Sequence, residues 1–224
     1  MDVSLVINDE KAALPVHRHE DARIIVVLEG EVCEHDLSGK HVYRKGDVLF
    51  RPPYCAHGNA PSGVPTSFLR LPVSRQNWVG YVRKYGWRGI RGELDLRGRD
   101  QRAMLRGKHA GDRILFSMLE NKSPAHICEE IGISGGSSLR ALAIQNGLKP
   151  YQLTRRFQKR FGLTPTAWRC EWRLRRALEL IIQGGSGLAE IASDCGYSDQ
   201  SHLSRDMKQC TGMTPMAFRR STQV

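Results

Sequence analysis

Three histidines near the start of the chain stand where they could share one ligand: His17 and His19, two residues apart, and His57. On an extended strand, residues i and i+2 face the same way. His17 and His19 can therefore aim two imidazoles at one point while His57 arrives from a distant strand. Cys55, two residues before His57, supplies a soft sulfur ligand, so a metal held by His17, His19, Cys55 and His57 is one reading. Histidines lining a pocket for an organic effector is the preferred one, because a metal motif needs its full ligand set. A different chemistry is offered near the other end, where Arg155 and Arg205 recur 50 positions apart, each on the polar side of an amphipathic segment.

The charge of the 224-residue chain is distributed to match. Thirty-four Lys and Arg face 23 Asp and Glu, a formal net charge of +11, but residues 1–73 carry −2, residues 74–136 carry +5 and residues 137–224 carry +8. A basic half joined to a near-neutral half reads as a polyanion-binding module attached to one with another task. The six cysteines, at 33, 55, 128, 170, 195 and 210, show no CxxC spacing and read as reduced thiols rather than a disulfide frame or zinc knuckle. No run of about 20 apolar residues is present, which excludes a spanning helix. Acids within Met1–Glu10 argue against a secretory signal, so a cytoplasmic protein is expected.

From Leu5 to Leu71, short Val- and Ile-rich runs are broken by Gly and Asp, as in Ile24–Leu28, Glu29-Gly30, Val42-Tyr43, Lys45-Gly46-Asp47 and Val48–Phe50. These predict strands and hairpins over residues 1–73. Ser74–Tyr85 could form one amphipathic helix, but the Gly- and Arg-rich stretch at 86–99 reads as a linker, giving a connecting segment at 74–111. From Asp112 onward the apolar spacing is helical, which assigns 112–224 to an all-α unit.

That unit contains a repeat. A shift of 50 superposes Leu153 on Leu203, Arg155 on Arg205, Phe157 on Met207, Gly162 on Gly212, Thr164-Pro165 on Thr214-Pro215 and Trp168 on Phe218. Upstream, a shift of 49 pairs Leu139 with Leu188, Ala143 with Ala192 and Gly147 with Gly196. Each copy reads as a short helix, a glycine turn and a second helix (about Lys149–Arg160 and Asp199–Cys210), a helix-turn-helix arrangement at about 138–162 and 187–212. In the second helices Leu153 and Phe157, or Leu203 and Met207, share an inward face, leaving Tyr151, Arg155 and Gln158, or Ser201, Arg205 and Lys208, outward. Between the copies, Pro165–Gln183 lacks internal Gly or Pro and meets Gly184-Gly185, predicting one helix. Some 18 residues at roughly 1.5 Å each give about 27 Å, comparable to the roughly 34 Å turn of B-DNA, so a monomer could read two half-sites.

The stretch Ser138–Arg220, above all Gly196-Tyr197-Ser198-Asp199-Gln200-Ser201-His202-Leu203-Ser204-Arg205 and Gly212–Arg219, resembles the DNA-binding domain of AraC/XylS-family transcription regulators. The resemblance implies two helix-turn-helix units on a connecting helix, binding double-stranded DNA to activate or repress transcription, with RNA polymerase as a further partner. It places Tyr151, Thr154 and Arg155 in the first copy, and Ser201, His202 and Arg205 in the second, at base edges. Lys159 and Lys208 are phosphate contacts that position rather than specify. Leu203 is larger than the family's residue there, and Met207 stands in place of its usual aromatic.

Residues 15–58 resemble the two short motifs of the cupin superfamily, whose small barrels bind metals, sugars or other small molecules and often form the sensor half of such regulators. The family's glutamate ligand falls at Arg23, a cation that would repel a metal and could pair with an anionic effector. The expected architecture is therefore two-domain, an N-terminal all-β cupin-like barrel and a C-terminal all-α tandem helix-turn-helix. The expected effector pocket is His17, His19, Arg23 and His57, with no cofactor and no catalytic residues, the metal set above being the lesser alternative. Small-molecule effector and DNA are the expected partners, with no membrane, for a monomer or homodimer. The alternative function is a metal-dependent cupin enzyme, a dioxygenase or isomerase, tethered to a DNA-binding module.

Overall fold

A computed structural model describes residues 3–8, 13–87, 89–94, 103, 105–106, 109–121 and 138–223. Its N-terminal part is built from β1 (Ser4–Asn8), β2 (Leu14–His17), β3 (Arg23–Glu29), β4 (Glu31–Asp36), β5 (Gly39–Arg44), β6 (Asp47–Arg51), β7 (His57–Ala60) and β8 (Thr66–Pro72). Helix α1 (Arg75–Tyr85) and strand β9 (Ile90–Glu93) follow, then α2 (Ala110–Asn121). The helical part holds α3 (Leu139–Gln145), α4 (Pro150–Phe161), α5 (Pro165–Gln183), α6 (Leu188–Asp194), α7 (Gln200–Thr211) and α8 (Pro215–Thr222).

The strands form two antiparallel sheets, one ordered β1-β8-β3-β6-β9 and the other β2-β7-β4-β5. The expected barrel is not closed: among the described residues no ladder joins the edges of one sheet to those of the other. Val27, Val32, Tyr43, Leu49 and Phe68 fill the space between the sheets. Alternate residues of the same strands, Ile24, Val26, Val48, Phe50 and Leu71, point the other way into a core shared with α1 and α2. Burial on both faces explains why Ile24–Leu28 reads as an unbroken apolar run. Gly111 lets α2 approach closely, since a Cβ there would fall 2.2 Å from the carbonyl oxygen of Pro72.

The stretch read as a linker is only partly one. Ser74–Tyr85 is helical as expected, but Ile90–Glu93 pairs with β6 as an edge strand, and Trp87 is fully buried with its Nε1 donating to the carbonyl of Pro53 at 3.0 Å. Arg88 and residues 95–99 of the Gly/Arg segment lie outside the described residues.

In the helical part the sequence repeat is a structural one. Gly162 and Gly212 both close their helices in the left-handed region, at φ 69° and 72°. Thr164 and Thr214 both cap the next helix, accepting from the backbone N–H of Ala167 and Ala217, and Pro165 and Pro215 take the first helical position. Ala143 and Ala192 are both fully buried at the short helices. The second copy's core, with Ile191, Leu203, Met207 and Phe218, is continuous with Trp78, Trp87 and the rest of the main core. The first copy's core, with Ala143, Leu153, Phe157, Phe161 and Trp168, is separate and contains one residue of the β unit, Leu37. Among the described residues no helix is long and apolar enough to cross a membrane.

Candidate functional site

Two sites need positioning, a pair of exposed helix faces and a cluster of imidazoles. On α4, Leu153 and Phe157 are buried, which leaves Tyr151, Arg155 and Lys159 exposed on the opposite side. Thr154 is half-buried and donates its hydroxyl back to the carbonyl of Pro150 at 3.2 Å, which lessens its availability to a base. Tyr151, Gln152, Arg155, Arg156 and Lys159 line one shallow surface groove. Arg156 and Gln152 were missed from the sequence. Arg156 could have been found from its place beside Arg155 on the exposed arc, whereas the Oε1 of Gln152 accepts from the Lys149 amide at 2.8 Å in a capping box.

On α7, Leu203 and Met207 are fully buried, and Ser201, Arg205 and Lys208 are exposed. The larger Leu203 and the non-aromatic Met207 are thus accommodated inside. His202 is half-buried: its Nδ1 lies 3.1 Å from the Ser198 hydroxyl and its ring stands edge-on to Tyr197 at 5.1 Å. Its backbone N–H donates to Asp199 Oδ1 at 2.7 Å, so this residue also builds the helix start. The Asp199 carboxyl is held below its usual range by that amide, with further contributions that include the nearby Arg205 charge.

Helix α5 joins the copies, and two of its arginines, Arg173 and Arg176, are committed to contacts within the protein. Arg173 donates to the carbonyl of Gly196 at 3.2 Å and stacks over Tyr197, pinning the second turn, while Arg176 pairs with Glu179 at 3.1 Å. These contacts make Arg173 and Arg176 anchors of the helix.

The structure brings His17, His19 and His57 together, with one ligand atom from each lying within 4.8 Å of the others. His17 sits directly across from His57 in the β2–β7 ladder, and His19 lies just past the end of β2. Nδ1 of His17 donates to the Pro15 carbonyl at 2.8 Å and Nδ1 of His57 donates to the Cys55 carbonyl at 2.9 Å, so both leave Nε2 as a lone pair. Burial, reinforced by Arg51, pushes His57 down to about 2; burial, then Arg23 and His17, pushes His19 down to about 4. Both imidazoles are neutral near pH 7, the form that binds a metal. The Nε2 atoms of His17 and His19 lie 3.2 Å apart, close to the ~3.3 Å edge of a tetrahedron with metal–nitrogen bonds of about 2.0 Å. The neutral rings of His19 and His57, with His17 beside them, therefore fit a borderline divalent cation.

Cys55 does not join them. It offers its carbonyl to His57, and its thiol, pushed up by burial, faces a cavity between the β unit and α5. Arg23 is buried next to the cluster and paired with Asp21, so its charge is already partly answered.

The β4–β5 turn is the other notable contact. Asp36 Oδ1 accepts from the Ser38 and Gly39 amides at 2.7 and 3.2 Å and lies 3.2 Å from His41 Nε2. Burial would raise Asp36, but the His41 hydrogen bond and charge and the Ser38 contacts outweigh it and hold the carboxyl at about 2. This rigid turn presents Leu37 to the first helix-turn-helix unit, and no signal in the sequence marks it.

Residues 142–221 match the family described as a helix-turn-helix domain. Over 94 residues the chain is 35% identical to the bifunctional transcriptional activator/DNA repair enzyme Ada of Escherichia coli, taking in 42% of this chain and 26% of Ada. Over 72 residues it is 32% identical to the arabinose operon regulatory protein of Escherichia coli, 32% of this chain and 25% of that one. The chain thus spans about a quarter of the length of these curated relatives. Among solved structures, apo ToxT K231A from Vibrio cholerae aligns over 97% of this chain and 96% of its own, at 11% identity and a TM-score of 0.41. The match to a helix-turn-helix domain and the similarity to these regulators thus both fall on the helical part of this chain.

Proposed function

We propose that the chain is a ligand-responsive transcription regulator acting in the cytoplasm, with its helical part on double-stranded DNA and its β part sensing a small molecule. The observation that carries this is the duplication in three dimensions: two helices with matched left-handed glycine stops and matched buried residues each present an arginine, Arg155 and Arg205, to solvent. Arginine contacts guanine through two hydrogen bonds, whereas Lys159 and Lys208 supply phosphate attraction. Tyr151, Thr154, Ser201 and His202 complete the base-reading set. RNA polymerase is the natural second partner of such a protein when it activates. The two-sheet β part is read as a cupin-like sensor, in keeping with the histidine cluster at the β2–β7 end. Selection of bound fragments from genomic DNA by the full chain tests the reading: one enriched motif with two unlike halves is expected, and recovery of fragments without any shared motif sinks it.

A second reading follows from the three histidines. His17, His19 and His57 would hold a divalent cation, supplying Lewis-acid chemistry or a structural clip for the sensor. Arg23 and its partner Asp21 occupy the neighbourhood where a fourth protein ligand would be sought, which favours a sensor over a cupin enzyme. Metal analysis after dialysis against zinc checks it: one equivalent retained by the wild type and lost in His19→Ala supports the site, and equal retention by both removes it.

A further inference from the structure

A cavity of about 250 Å3 lies at the seam between the β unit and α5, and its lining includes none of the three clustered histidines. Tyr43, Tyr54 and Trp87 give it aromatic walls, and Leu174 and Leu178 of α5 close it from the helical side. Tyr54 has φ 59°, a left-handed conformation that a bulky residue rarely adopts; such strain is retained chiefly at functional positions.

The charges on the wall are nearly all answered. Arg51 is paired with the buried Glu34, Arg91 donates to Asp47 at 2.6 Å, Asp36 is held by His41 and Ser38, and Glu171 is paired with Arg18. Arg175 is the exception. Its guanidinium stacks on Trp172, 5.3 Å from the ring centre, and among the described residues it is in no ion pair. Arg175 lines this space together with Cys55 and Arg51. A guanidinium fixed by stacking and lacking a carboxylate is suited to an incoming one.

The same wall includes Asp36, Leu37 and Ser38, the turn that enters the first helix-turn-helix unit. Leu37 is buried among Leu153, Phe157 and Trp168, and its carbonyl accepts from Trp168 Nε1 at 3.0 Å. An occupant of the cavity therefore touches a segment that is also part of the core beneath a base-reading helix.

We propose that this cavity, rather than the histidine cluster, is the effector site: it binds a small organic anion with a flat apolar body, its carboxylate on Arg175, and the β4–β5 turn conveys occupancy to α4. The coupling half of this rests on the regulator reading above; the binding half does not.

The test is calorimetric titration of the full chain with benzoate and phenylacetate, and with uncharged benzamide, followed by DNA affinity at a selected site with and without the carboxylate. Saturable one-to-one binding of a carboxylate is expected, at least tenfold weaker for benzamide and for Arg175→Gln, and partly restored in Arg175→Lys. Ala56→Leu, which adds bulk at a second lining residue, abolishes binding, and it keeps the test valid if Arg175→Gln folds poorly. DNA affinity shifts at least fivefold with the carboxylate, and Trp168→Phe, which removes the bond to the Leu37 carbonyl from outside the cavity wall, reduces that shift while retaining ligand binding. Failure of both carboxylates to bind, or binding indifferent to Arg175→Gln and Ala56→Leu, overturns the site. Binding without any change in DNA affinity overturns the coupling. If no DNA motif is selected at all, the regulator reading fails while the titrations still decide the cavity.

Discussion

The indole nitrogen of Trp168 donates to the carbonyl oxygen of Leu37 at 3.0 Å, across 131 positions of sequence. Trp168 belongs to the start of α5 and Leu37 to the tip of a β hairpin, so this bond and the burial of the Leu37 side chain join the two parts at the first helix-turn-helix unit. Phe161 and Trp172 flank Trp168 at 5.7 and 5.9 Å between ring centres, making the contact an aromatic stack with one polar anchor.

Truncating Leu37 to alanine should cost about 2–4 kcal/mol, the usual range for a leucine removed from a core. The loss should be local. Hydrogen exchange is expected to quicken at amides of α4 and stay unchanged at α7, whose core is continuous with the larger one. Equal quickening in both helices would refute the division.

The two helix-closing glycines allow a paired comparison. Both are left-handed, so replacement by alanine should cost about 1–2 kcal/mol at either position. A Cβ at Gly162 would also meet the Cβ of His35 at 3.3 Å, whereas one at Gly212 meets nothing within 4 Å. Urea unfolding should therefore show Gly162→Ala as the more damaging, and the reverse order would deny the contact between α4 and β4.

On DNA, Arg205→Ala should lose about 1–3 kcal/mol and relax preference at one base pair. Lys208→Ala should weaken all sequences alike and lower the slope of log affinity against log salt by about one. Binding measured at several salt concentrations on matched and mismatched duplexes separates the two, and identical behaviour of both variants would remove the assignment of roles.

Acid should destabilise the β unit before its carboxylates titrate. His57 is held at about 2 in the folded chain against 6.5 when free, so below pH 6.5 the unfolded chain binds the proton first. The stability due to neutral His57 is complete above about pH 6.5 and declines as pH falls toward 2, by up to about 1.4 kcal/mol per pH unit. Asp36 contributes in the same direction only between about 4 and 2. The urea midpoint is expected to drop between pH 6.5 and 4.5, and His57→Phe should flatten that slope; an unaltered slope would show that His57 is not buried as a neutral ring.

What the sequence revealed was what neighbouring residues decide. Pro165 and Gly184 bound α5 because proline suits a first helical turn and glycine a helix stop, and the repeat located both buried faces, both glycine stops and both threonine caps. The meeting of His17 and His57 followed from strand parity plus a distant partner, although His19 lies beyond the strand rather than on it. What stayed hidden depends on distant partners. Ile90–Glu93 becomes a strand because Asp47–Phe50 offers it an open edge, which outweighs glycine-rich surroundings. Leu37 lies in an Asp-Leu-Ser-Gly turn, where composition predicts exposure, and its burial is conferred by helices more than 100 residues later. Cys55 was grouped with His57 by closeness in sequence, but the two side chains leave the backbone toward different spaces.

The unequal footing of the two DNA readers bears on how such chains can be recombined. The second reader carries its own foundation with the main core, whereas the first borrows a keystone from the opposite end of the polypeptide. Grafting a foreign sensor onto these helices would leave a leucine-sized hole under α4 unless the graft brought a hairpin of the same reach. Exchange of sensors by gene fusion is thereby restricted to donors that carry a matching plug.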